Sequence, residues 1–233
     1  MRTITWNILA DEWVEPHYYP ALVEQKYIDR NNRIKIIVRI LIETNADLIL
    51  LQEVMEDEYE TLIELFSCKY FASPLSQISW SYGTGQSGNV SFLKNTMFTN
   101  INHCVIDFGL MTTCNYNENK CIIYNIHLDD ISTETRTEQF KQISTDEDDA
   151  KYIIAGDFNE SYPHMMYGLL PSDFSINNLE PTYNIEGIDE TIDNILTKGF
   201  MCCDINVPKL PITVDEILSS FGSDHLYVIA ELN

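Results

Sequence analysis

The apolar run Tyr152–Ala155 is followed by "GDFNE", which sets Asp157 and Asn159 two residues apart where a buried strand would meet solvent. Burying an aspartate beside an amide costs on the order of several kcal/mol unless a cation or hydrogen bonds offset it. The plain reading is a loop in which Asp157 and Asn159 cap their own turn. The pattern recurs, however. Asn7 closes "TWN", Glu53 closes "LLQE", His127 closes "YNIH", Asp193 closes "TID", and Asp224 and His225 close "GSDH". Carboxylates, amides and imidazoles are the groups that hold hard cations and hydrogen-bond to phosphate oxygens. One such strand end is ordinary; six are hard to attribute to turns.

These residues need elements to carry them. "RTITWNIL", "ADLILLQEV", "SGNVSFLKNTMF", "CIIYNIHL", "YIIAGDF", "TIDNILTKGF" and "HLYVIAEL" read as strands, several too apolar to face water. "NNRIKIIVRILIET" places apolar residues at 34, 37, 38 and 41, the helical spacing. "ETLIELF" reads as a helix, and so does "STETRTEQFKQI", opened by Ser or Thr. Gly156 is read as a sharp turn, and Asp157 and Asn159 as leaving extended chain on one side. Gln52 points away from Glu53 if the strand continues, and is left out of the site. Alternating strands and helices predict a layered α/β domain, with ligands gathering at strand ends.

Length and composition bound the rest. The 233 residues suit one large domain or two small ones, and 45% apolar content supplies a core. No apolar run approaches the roughly 18 residues of a membrane span, and the start "MRTITWNILADEW" does not read as a signal peptide. Six cysteines show no CxxC pair and no zinc spacing, which points to reduced thiols. The expected location is cytoplasmic or nuclear. Two sequons, "NVS" at Asn89 and "NES" at Asn159, would be awkward in a glycosylating compartment if Asn159 is functional. The net charge is −22, from 14 Lys+Arg against 36 Asp+Glu, and the densest basic cluster is Arg30, Arg33, Lys35 and Arg39. Such a chain lacks the basic stripe that grips a long polyanion, unless divalent cations supply the positive charge.

"TWNILAD", "LLQEV", "IHL" followed by "RTEQ", "GDFN", "TIDNIL" and "SDH" stand in the order found in the endonuclease/exonuclease/phosphatase superfamily, and the chain resembles it from residue 3 to its end. The opening "WNILADEW" with "RNNRI…ADLILLQEV" looks most like the deadenylase and 2′,5′-phosphodiesterase branch. The chain is shorter than those deadenylases, resembles tyrosyl-DNA phosphodiesterases and minimal bacterial members too, and has Asn194 where many members carry an aromatic.

The resemblance implies a DNase I-like, four-layer α/β/β/α sandwich of two packed mixed β-sheets flanked by helices, spanning 1–233 as one domain. It implies hydrolysis of a phosphodiester by in-line water attack with Mg²⁺ or Mn²⁺ as cofactor. Glu53, Asp224 and Asn7 are then expected at the metal or its water shell. Asp157 would orient and deprotonate the water, or serve as a second metal ligand. Asn159, His127 and Asn7 would donate to the phosphate, with Asn125 a weaker candidate. His225 would be the electrophile, its tautomer fixed and its imidazolium favoured by Asp193. Arg136 and Gln139 are expected to make structural hydrogen bonds. His17, His103 and His164 are read as ordinary, and Trp13, Tyr18, Tyr19, Trp80 and Tyr82 as loop aromatics that pack or stack on a base. The expected partner is a nucleic acid or nucleotide substrate, short or single-stranded, with no membrane and a monomeric chain. The alternatives are a phosphomonoesterase, an inositol or phospholipid phosphatase, a 5′-tyrosyl-DNA phosphodiesterase and, last, an inactive binding module.

Overall fold

The computed structural model describes residues 1–14, 29–80, 83–160, 164–185, 188–209 and 214–233. Strand β1 (Arg2–Asn7) sends Ile4 and Trp6 into an apolar layer shared with helix α1 (Arg30–Thr44), while the buried Thr3, Thr5 and Asn7 face the other way. The Asp29 carboxylate caps α1 by accepting the Asn32 N–H at 3.1 Å, and Asn45, in left-handed backbone at φ 46°, stops it. Strand β2 (Leu48–Met55) lies parallel to β1 and repeats its alternation, with Ile49 and Leu51 toward the helices and Leu48 and Leu50 inward. Helix α2 (Glu56–Phe66) follows at once, and Glu58 accepts the Met55 N–H at 3.0 Å.

The first sheet runs β14 (Cys202–Asn206), β15 (Val228–Leu232), β1, β2, β5 (Gly83–Lys94), β3 (Tyr70–Ala72), with β4 (Ser76–Trp80) also on β5. The second runs β10 (Ser175–Ile176), β13 (Asp193–Lys198), β9 (Lys151–Asp157), β8 (Asn119–His127), β7 (Gly109–Tyr116), β6 (Phe98–Ile106). Leu48, Leu50 and Leu93 meet Ile123, Ile153, Ala155 and Ile195 between the sheets. Phe140 of α3 (Thr133–Lys141) and Met166 of α4 (His164–Tyr167) cover the outer face of the second sheet over Tyr152 and Ile154. A hairpin, β11 (Tyr183–Ile185) and β12 (Ile188–Glu190), stands apart, and α5 (Val214–Phe221) packs on α1. The layers are helix, sheet, sheet, helix, as expected. Among the described residues no helix is long and apolar enough to cross a membrane.

Below one end of the inter-sheet core lies a buried amide cluster. Gln52 Nε2 donates to Asn125 Oδ1 at 2.7 Å, Asn125 Nδ2 donates to the Val90 carbonyl at 2.9 Å, and Asn89 Nδ2 donates to the Asn125 carbonyl at 3.0 Å. These bonds cross from one sheet to the other.

Three expectations need correction. "SGNVSFLKNTMF" is not one strand: β5 ends at Lys94, and a turn leads into β6 at Phe98. Gly156 is not a turn but lies within β9 at φ 145°, where an added Cβ would stand 1.9 Å from the Ile126 carbonyl oxygen, so glycine permits the close approach of β8. Trp80 ends strand β4 and does not sit in a loop. His17, Tyr18, Tyr19 and Tyr82 lie outside the described residues, as do the side chains of Trp80 and His164.

Candidate active site

Strand register sets one wall of the site. His127 is paired with Asp157 across parallel β8 and β9, and Asp157 with Asp193 across antiparallel β9 and β13. Residues in register share a face, so the three side chains form a row at the open end of the surface made by Ile123, Ile153, Ala155 and Ile195. Asp157, 1% exposed, uses its two oxygens differently. Oδ1 accepts the Asn159 N–H at 2.8 Å in a local turn with Asn159 at φ 48°. Oδ2 accepts from Asn7 Nδ2 at 3.0 Å and lies 3.6 Å from His127 Nε2 and 3.8 Å from His225 Nε2. One Asp157 oxygen thus serves the turn and the other faces Asn7, His127 and His225, while Asn159 departs from the extended chain expected of it. The Asn159 amide donates to the Leu128 carbonyl at 2.9 Å, which ties the exits of β8 and β9 together.

The opposite wall breaks strand regularity. Asn7 ends β1 with its amide on the inter-sheet side, donating to Glu53 Oε1 at 2.8 Å and to Asp157, and so bridging the sheets. By alternation Glu53 belongs with Ile49 and Leu51 on the helix side. A register shift between Leu51 and Val54, with Glu53 itself at φ 57°, turns it into the pocket instead. Its Oε2 accepts the Ala10 N–H at 2.8 Å, and its Oε1 stands 3.9 Å from His127 Nε2. Burial raises the Glu53 pKa, opposed by His127 and by the bonds from Asn7 and Ala10. Gln52 keeps to the core, as its parity requires. The 7–10 loop, with Leu9 at φ 60°, is held from beneath by Arg33. That side chain is fully buried and donates through Nη1 to the carbonyls of Ile8 (3.3 Å), Leu9 (2.8 Å) and Gly222 (3.1 Å). Within the basic cluster of α1, Arg33 is thus an interior tie.

His225 closes the pocket. Its Nδ1 is 2.9 Å from Asp193 Oδ2, its N–H donates to Ser223 Oγ at 3.1 Å, and its carbonyl accepts from Trp6 Nε1 at 2.9 Å. Burial alone would depress the imidazole pKa, but the Asp193 carboxylate and its hydrogen bond more than reverse this, and His225 is held well above the usual histidine range. Asp224 is half-buried beside it, and its charge acts on both Glu53 and His225. Asn7, Glu53, His127, Asp157, Asp193 and His225 thus converge through contacts of 2.8 to 3.9 Å.

Other expected residues fall elsewhere. Asn125 spends its amide in the inter-sheet cluster. Arg136 donates to the Asp129 carbonyl and to Glu160, and Gln139 accepts the Asp129 N–H, both structural as expected. Asn194 pairs its amide with the backbone of Asn178 at 2.8 and 3.0 Å. His103 bonds Thr112 across β6 and β7, and Trp13 packs with Leu9 and Leu218. The sequence reading missed Tyr183, whose ring lies 4.6 Å from that of His225. It sits in a three-residue strand with no periodicity to announce it.

Asp157, Asp193 and His225 offer donor atoms within 4.8 Å of one another, a spacing that could hold a metal. The His225–Asp193 hydrogen bond already occupies the Nδ1 edge of the imidazole. The Glu53 side suits a hard cation better: the pocket gathers four carboxylates, Glu53, Asp157, Asp193 and Asp224, against two imidazoles, an excess of negative charge that a divalent cation would balance.

Facing sheets with such a polar pocket at their open end define a class of phosphoric ester hydrolases. The chain belongs to the Endonuclease/Exonuclease/phosphatase family, whose sequence profile matches residues 4–225; members are phosphoric ester hydrolases that generally use divalent metal ions. No curated protein matches it in sequence. Among solved structures it is similar to ANGEL2, a 2′,3′-cyclic phosphatase, at 15% identity and a TM-score of 0.77, over 99% of this chain and 94% of that one. It is also similar to humanized D. rerio TDP2, at 16% and 0.73 over 100% and 98%, and to the human Nocturnin catalytic domain, at 19% and 0.70 over 100% and 94%. At these identities the likeness is one of fold.

Proposed function

We propose that this chain, acting as a single domain, is a divalent-metal-dependent phosphodiesterase that cleaves short RNA, oligonucleotide or nucleotide-like substrates by in-line attack of water. One observation carries the reading. Side chains from β1, β2, β8 and β9, with His225 beside them, converge on Asp157 Oδ2 and its neighbours. Glu53, with Asp224 and Asn7 beside it, would hold Mg²⁺ or Mn²⁺. The bound ion would offset charge growing on the phosphoryl oxygens. Asp157 orients the attacking water and takes its proton through Oδ2, since Oδ1 is committed to the turn. His127 donates to the phosphate. Asn7, expected there too, has both amide hydrogens on Glu53 and Asp157 and holds those carboxylates together instead, and Asn159 braces the loop beside them with one amide hydrogen left to donate. His225, kept charged by Asp193, donates through Nε2 where negative charge develops.

Short substrates fit the charge. The chain carries −22, and two arginines near the site-forming loops, Arg33 and Arg136, are used internally. Long-range attraction to a polyanion is therefore missing. Turnover of bis(p-nitrophenyl) phosphate with Mg²⁺ or Mn²⁺, abolished by EDTA, is the expected result. Absence of metal-dependent turnover on any phosphate ester would falsify the enzyme reading. Labelled oligo(A), 2′,5′-linked oligoadenylate, single-stranded DNA, 5′-tyrosyl-DNA and adenosine 2′,3′-cyclic phosphate, compared side by side, identify the substrate. Faster hydrolysis of a phosphomonoester than of all of these would replace the diesterase with a phosphatase.

A further inference from the structure

The His225 imidazole is fastened at one edge by Asp193, which leaves rotation about that hydrogen bond open. Its face is covered by Tyr183, with ring centroids 4.6 Å apart and planes inclined at 36°. The two residues also form an isolated antiparallel β-bridge. The preceding residue is bonded to both sides of the ion pair: the Thr182 carbonyl accepts the Leu226 N–H at 2.7 Å, and Thr182 Oγ1 accepts the Asp193 N–H at 3.2 Å. The β11–β12 hairpin is thereby attached to the residues flanking the His225–Asp193 pair.

We infer that Tyr183 is a positioning residue whose ring, packed on the face of His225, keeps the imidazole Nε2 turned toward Asp157. The inference rests on the hydrolase reading above. Face contact between two aromatic rings is attractive, and it resists the rocking that an edge hydrogen bond alone allows. The contact runs between the two rings, so the inference expects phenylalanine to serve as well. Small displacements of a donor lower kcat while leaving ground-state binding little changed.

The test compares Tyr183→Phe and Tyr183→Leu on bis(p-nitrophenyl) phosphate with Mn²⁺, alongside proton NMR of the His225 ring and thermal melts. Tyr183→Phe should hold kcat within about twofold, whereas Tyr183→Leu loses about tenfold in kcat with KM within about twofold. The ring-current shift of the His225 protons should persist in the phenylalanine variant and vanish in the leucine variant. A folded Tyr183→Leu protein with undiminished kcat overturns the inference. So does a Tyr183→Phe protein that falls as far as the leucine variant. If the leucine variant does not fold, Tyr183→Met is read by the same criteria. If the wild type turns over no ester, the hydrolase reading fails, and NMR alone decides Tyr183: His225 ring protons unmoved in the leucine variant overturn the inference.

Discussion

The two walls of the pocket are built by opposite means. On the second sheet, His127, Asp157 and Asp193 sit in unbroken register on three neighbouring strands, and regular pleating aims all three side chains inward. On the first sheet, Glu53 reaches the pocket through a shifted register and a left-handed backbone, and the loop beyond Asn7 needs a buried arginine beneath it. Beyond the ladder itself, the regular wall needs the close approach of β8 that Gly156 permits. The irregular wall stores strain, on the order of 1–3 kcal/mol for a non-glycine residue at positive φ, which the surrounding fold must hold. Regular structure suffices to align several donors, whereas a bulge is needed to bring in a carboxylate of the wrong parity.

Substitutions can break or sharpen this contrast. The largest effect belongs to the regular wall and its partner: Asp157→Ala and His225→Ala should each lower kcat by about 10³-fold with far-UV circular dichroism unchanged. Full activity in either would remove its assigned role. Gly156→Ala tests the ladder itself and should cost about 3 kcal/mol in urea denaturation, because the new methyl meets the Ile126 carbonyl and the backbone at φ 145° opposes it. Glu53→Gln tests the irregular wall: kcat at fixed metal should fall about 10²-fold, partly recovered at higher Mn²⁺, with little change in the melting temperature. Asp193→Asn should cost about tenfold at neutral pH. With its His225 partner no longer favoured in the charged form, the alkaline limb of the pH–rate profile moves to lower pH. The sign in stability follows the same logic: a raised folded-state pKa gives the wild type stabilisation that is complete below the ordinary histidine pKa and is lost as pH rises through the raised value, a slope absent from Asp193→Asn. The smallest effect is Gln52→Leu, about 1 kcal/mol of stability, since Asn125 Oδ1 loses its 2.7 Å donor.

The regular wall was legible in the sequence because apolar runs reveal strands and period-two alternation reveals which end residues share a face. His127 and Asp157 could be placed that way, while Asp193 and His225 could be paired through the family's motif order. Glu53 was found through its type and motif position, not its parity, which alternation alone assigns to the wrong side. The bulge that corrects it has no local signature, since Glu is a poor candidate for left-handed backbone. Arg33 was counted only as one member of a basic cluster, because its partners are carbonyls of loops remote in the chain, Leu9 and Gly222. Tyr183 escaped because stacking on His225 depends on a hairpin 42 positions earlier in the chain being bridged to it. Gly156 was recognised as special, but its strand placement depends on how near β8 runs, which only tertiary structure fixes.

The amides of Gln52, Asn89 and Asn125 act as a keyed joint just under the pocket floor. Sliding one sheet past the other by a single residue would strip several of these buried amides of their partners. The gap between the walls is consequently a dimension of the fold and not an adjustable jaw. Adaptation to a different leaving group must come from the loops and the β11–β12 hairpin at the rim.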